Sequence, residues 1–134
     1  MSVKYSRRTN LSDEFTEQAT KEINEELEHN SQILKSCQND EDVTHKCSEI
    51  EKHLHKIKGL APMMDQKKIG ELARLNDELI KKTIEGKKIK GIFETINQSN
   101  KLMKDLMQDS TLEIDDLREA IKTKYAEYLD KESV

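Results

Sequence analysis

Apolar side chains recur every three or four residues through almost all of this 134-residue chain, which is the spacing of one buried helix face. Leu11, Phe15, Ala19, Ile23, Leu27, Asn30, Leu34 and Cys37 trace the first stripe, with Ser12 placed to cap it, and predict helix A over about residues 12–38. The polar string Gln38, Asn39, Asp40 ends it. Val43, Cys47, Ile50, Leu54, Ile57, Ala61 and Met64 form the most regular stripe and predict helix B over about 41–64. Pro62 lacks an amide hydrogen and crowds the carbonyl of residue 58, so the last turn of B should bend. Asp65 is suited to cap helix C, which Ile69, Leu72, Ala73, Asn76, Leu79, Ile80 and Thr83 carry and Gly86 closes. Ile89, Ile92, Phe93, Ile96, Met103 and Met107 predict helix D over about Lys88–Gln108, with Gly91 weakening its first turn. Ser110 and Glu113 form a capping-box pattern for helix E, which Ile114, Leu117, Ile121, Tyr125 and Tyr128 extend to about Asp130.

Helices joined by loops of two to four residues return antiparallel to their neighbours. The expected fold is therefore all-α: an antiparallel up-down four-helix bundle with a fifth, C-terminal helix. Residues 1–10 are polar and aperiodic and read as a flexible lead-in, leaving 11–134 as one helical domain. Composition narrows the choice further. With 37% charged residues, 34% hydrophobic, 4 Gly, 1 Pro and no Trp, the chain lacks the turn residues an all-β or doubly wound fold needs. Lys and Arg number 23 against 27 Asp and Glu, a net charge of -4 with the signs interspersed, which argues against nucleic acid or an anionic membrane as partner. A protein partner is expected, and a monomeric state. No long apolar run and no secretory pattern occur, so the chain reads as cytoplasmic. Cys37 and Cys47 have neither zinc-site spacing nor the count of a disulfide framework and read as small core residues.

One segment departs from a generic bundle: His55-Lys56-Ile57-Lys58-Gly59-Leu60-Ala61. His55 follows core residue Leu54 and so stands about 100° around the helix, on a flank a partner can reach. Lys58 and Gly59, three and four residues on, share that flank and supply a cation and a clearing. Gly59 costs about 1 kcal/mol in a helix interior, so a reason other than stability is expected. If the turn between helices B and C is centred near residues 65 and 66, position 77 falls opposite 55. That places Asp77 across from His55, with Gly70, Arg74 and Lys81 on the same face of helix C and small Gly70 leaving room. A carboxylate that accepts the Nδ1 hydrogen would leave the Nε2 lone pair as a nucleophile, and nearby cations would offset an incoming phosphoryl charge. Met63 lies off the apolar stripe and suits a docking contact, although methionine is more often core or loop cover. His29, His45 and His53 read as exposed and inert. His53 and His55, two apart, point to opposite sides and do not make a metal pair. No metal or cofactor is expected.

His55 to Ala61 reads His-x-Ile-Lys-Gly-x-Ala and so resembles the signature of histidine-containing phosphotransfer domains, above all the phosphotransfer domain of chemotaxis-type histidine kinases. The five-helix layout agrees over roughly residues 12–130. The resemblance implies that His55 is the phosphoacceptor, Lys58 stabilises the phosphoryl group, Gly59 gives clearance, and Asp77 stands where those kinases carry a glutamate. Asp77 is one methylene shorter, which opens the way to a bridging water. Arg74 occupies a position often held by a second histidine, and Asp65 one commonly held by glycine. The implied function is acceptance of a phosphoryl group on His55 and its transfer to the aspartate of a response-regulator receiver domain. The chain has no glycine-rich nucleotide loop, so a histidine kinase catalytic domain would act in trans. A non-catalytic adaptor that binds kinases or receivers, and a purely structural bundle, are the alternatives.

Overall fold

In the computed structural model, the backbone is described over residues 2–133 and the side chains over 13–133. These residues form helices and turns without a strand: α1 (Ser2–Lys35), α2 (Asp40–His45), α3 (Cys47–Met63), α4 (Lys67–Ile84), α5 (Ile92–Gln108) and α6 (Asp115–Lys124). Two 3₁₀ turns follow at Ala126–Tyr128 and Lys131–Ser133. The protein is all-α. No helix among the described residues is long and apolar enough to cross a membrane.

Helix α1 begins at Ser2, so its backbone runs through the stretch expected as a lead-in, and Ser12 lies inside the helix instead of capping it. The side chains of residues 1–12, Leu11 included, lie outside the described residues. Ala19, Ile23, Leu27, Asn30 and Leu34 are buried as the stripe requires, but Phe15 is half exposed. Thr20 already reaches Met64 at the turn between α3 and α4. Predicted helix B is two helices, broken at Lys46 (φ -115, ψ 13), and Asn39 caps the first by accepting from the Asp42 amide at 2.9 Å.

The α3–α4 hairpin has the most extensive packing; α1 packs on α3 and α5, and α4 on α5, which closes a ring of four helices. Ile50, Leu54, Ile57, Ala61, Leu72, Leu75, Leu79, Ile80, Ile96 and Met103 fill the ring, and each large side chain contributes about 1.5–3 kcal/mol by leaving water. Cys37 and Cys47 are both buried there.

The hairpin turn is closed by a Schellman motif: the Gln66 amide donates to the Ala61 carbonyl at 2.9 Å and the Asp65 amide to that of Pro62 at 3.1 Å. Asp65 is consequently not an N-cap. It is the left-handed residue of the motif, at φ 59, the conformation in which glycine is preferred. The same pair of bonds closes α4 at Gly86, here with φ 104 as expected, from Lys87 to Lys82 and from Gly86 to Thr83.

Helix D starts at Ile92, later than predicted, because Asp40 crosses from α2 and accepts from the Gly91 and Phe93 amides at 2.8 and 2.9 Å. The capping box of Ser110 and Glu113 does not form; Asp109 instead takes the Thr111 amide and hydroxyl in a local turn, and α6 begins at Asp115. Helix E stops at Lys124, and the two 3₁₀ turns that follow pack against α4.

Candidate functional site

His55 sits on the outer flank of α3, with its side chain 63% exposed. The reason is its position in the stripe: Leu54 and Ile57 face the core, and the residue between them on the flank is left to solvent. Gly59 and Pro62 continue the same exposed row, and Met63 at its end is 60% exposed. A Cβ added at Gly59 would meet nothing within 4 Å, so the clearing beside His55 opens to solvent and not toward another helix.

The carboxylates meet the expectation in part: Asp77 comes near His55, but its closest partners are two lysines. Asp77 is buried, 1% exposed, and its Oδ2 receives the ammonium groups of Lys58 at 2.9 Å and Lys81 at 3.0 Å. Asp77 thus faces Lys58, one turn beyond His55. The acidic group nearest Nδ1 of His55 is Glu51 on its own helix, with Oε2 at 3.8 Å. That is an ion-pair distance, longer than a hydrogen bond. A ring nitrogen of His55 and one oxygen each of Glu51 and Asp77 lie within 4.8 Å of one another.

Glu51 escaped the sequence reading, although its place four residues before His55 is a helical-neighbour signal. Burial pushes its carboxyl up from the usual range and the Asp77 carboxylate pushes it further, against the opposing pull of Lys81 and His55. Burial also raises Asp77, but hydrogen bonds from Lys58, Glu51 and Lys81 outweigh it and leave Asp77 lowered. Glu51 is therefore the member of the pair whose protonated form folding favours. Such a proton gives a donor to a site in which Glu51 Oε2 and Asp77 Oδ1 are buried acceptors without another partner among the described residues. Lys81 is raised, chiefly by its hydrogen bond to Asp77.

Arg74 does not look toward His55. Glu71 and Glu78, three before and four after it, hold its guanidinium at 3.1 and 3.0 Å, and Ser133 closes over it from the C-terminal turn. Gly70 does not clear space at the histidine either. A Cβ there would touch Pro62 at 3.6 Å and Ala61 at 3.7 Å, so it belongs to the packing between α3 and α4.

Chemically the flank offers an accessible imidazole and the acidic side chain of Glu51 on its Nδ1 side. It also offers a lysine one turn along whose present partner has a second cation. Lys58 can leave Asp77 for an incoming anion without stranding a buried charge, because Lys81 remains on the same oxygen. Of the other histidines, His29 and His45 are exposed. His53 is not: it is buried against α1, its Nδ1 lying 2.5 Å from Glu26 Oε1. The packing of α1 on α3 widens the buried face of α3 beyond its apolar stripe and so takes in His53 beside Leu54.

No protein-family model, curated protein or solved structure matches this chain.

Proposed function

We propose that this protein is a histidine phosphotransfer domain of a two-component relay, phosphorylated on His55 and discharging to the aspartate of a receiver domain. One observation carries the reading. The histidine of the His-x-Ile-Lys-Gly motif is exposed on a rigid, packed helix, with open space at Gly59 and a lysine one turn away. Metal ligation explains this grouping poorly, since Asp77 already carries two ammonium groups.

The geometry supports the following course for the transfer. Glu51, the acidic group nearest Nδ1, keeps the Nδ1 proton in place through a bridging water, so that the lone pair is on Nε2. Nε2 attacks the phosphorus of a receiver phosphoaspartate in line, the N–P bond forms as the acyl O–P bond breaks, and the receiver carboxylate leaves with the electron pair. Lys58 turns from Asp77 toward the phosphoryl oxygens and offsets their charge. Charging by a kinase in trans uses the same nucleophile with a nucleoside triphosphate as donor. Arg74 and Gly70 serve this site indirectly, by holding the C-terminal turn and the hairpin. The setting is the cytoplasm, where kinases and receivers meet, and a monomer suffices.

The test is incubation of the chain with a receiver phosphorylated on its aspartate. The expected product is an acid-labile, alkali-stable phosphate on one histidine, lost in His55→Gln with helicity intact. Tight receiver binding without label would instead identify an adaptor, and neither binding nor label a structural bundle. Label retained in His55→Gln would move the site elsewhere.

A further inference from the structure

The opposite flank of α3 carries a second cluster, independent of the transfer chemistry. His53 is 7% exposed in the contact with α1, and Glu26, which meets its Nδ1, is buried as well. His29 follows Glu26 by three residues on α1, and its ring centroid lies 4.9 Å from that of His53 with the planes inclined by 48°. One donor atom from each of the three side chains lies within 4.8 Å of the other two. Glu-x-x-His on a single helix is the spacing that turns a carboxylate and an imidazole onto one face, and it recurs in helical bundles that hold metal ions. Here the facing helix adds a second imidazole.

We propose that Glu26, His29 and His53 form a binding site for a divalent first-row transition ion of the Zn²⁺ class. Two imidazoles and one carboxylate are a donor set suited to such an ion, with water in the fourth position on the exposed side of His29. Bonds of 2.0–2.2 Å at tetrahedral angles put donor atoms about 3.4 Å apart. The Glu26–His53 pair must therefore open by about an ångström and the wider separations close toward the same value, which side-chain rotation supplies. On binding, the His53 ring presents an Nδ1 lone pair to the ion: a neutral ring carries its one proton on Nε2, and a protonated ring releases its Nδ1 proton to solvent. Lys56 lies 3.7 Å from Glu26 Oε2, the oxygen turned from His53, and leaves Oε1 available. The cluster of Glu51, His55 and Asp77 has similar spacing but presents two ammonium groups on Asp77, which repel a cation. A bound ion would clamp α1 to α3.

Zinc chloride titrated into the metal-free full chain, followed by calorimetry and by thermal melting, should bind at one ion per chain and raise Tm, with EDTA reversing the rise. His29→Gln changes an exposed side chain and leaves the packed interface alone. It should weaken binding by more than about tenfold, the loss that even an outer-shell partner causes. His55→Gln should bind zinc as the parent does. Absence of saturable one-to-one binding, binding that survives His29→Gln, or binding lost in His55→Gln overturns the assignment.

Discussion

Glu51 and Asp77 carry opposite shifts within one cluster, and that opposition makes the candidate site legible in a stability profile. Folding raises the Glu51 carboxyl, chiefly by burial, so the folded chain holds that proton more tightly than the unfolded one. Its stabilising effect is complete below the unfolded value of about 4.3 and is lost as pH rises through the raised folded value. Asp77 is lowered, so its contribution is present above the unfolded value and is lost only as pH falls through the lowered folded one. Glu51→Gln should therefore match the parent near pH 4 and melt at a higher temperature near pH 8, while both share the same acid limb. Parallel melting curves across that range would show that Glu51 is not the protonated partner. The pairing was legible at His55, Lys58 and Gly59, because helical spacing puts them on one flank whatever surrounds them. At Asp77 the approach to His55 was legible but not the pair of lysines that holds it, and Arg74 was not legible at all, because its partners depend on its own helix neighbours and on a C-terminal turn far away in sequence.

Two helix ends depend on single aspartates, each in a role its local sequence did not reveal. Asp40 opens α2 and also accepts the first amides of α5, from Gly91 and Phe93. Asp40→Ala should lower stability by about 1 kcal/mol, within the 0.5–2 kcal/mol range of lost N-caps, read as a lower urea midpoint at unchanged m. An unchanged midpoint would mean that solvent replaces the cap without loss. Asp65 holds the left-handed position of the α3–α4 turn. Asp65→Gly should raise stability by about 0.5–1 kcal/mol, because a left-handed residue with a Cβ is strained there. A fall in the urea midpoint would indicate that the aspartate side chain contributes more than its backbone strain costs.

For the whole molecule, the functional reading depends on a second body closing over α3, and Gly59 separates that event from folding. Its missing Cβ faces open space, so Gly59→Ala should stabilise the chain by up to about 1 kcal/mol through helix propensity. Gly59→Leu should leave the fold intact yet slow transfer from a phosphorylated receiver by tenfold or more, since in-line transfer tolerates little added separation. Full-rate transfer by Gly59→Leu would place the receiver on another face. Periodicity alone determined the all-α class, the stripes of α3 and α4, the burial of Asn30, Asn76 and both cysteines, and the exposed flank at His55. These follow from one helix turning a fixed angle per residue. Only the tertiary structure decided that Phe15 is left uncovered, that His53 is buried on Glu26, that Asp77 is shared by two lysines, and that Asp40 caps a helix fifty residues away. Each of those depends on where a second element ends or how the hairpin is registered, and helical spacing within one segment carries no information about its neighbour.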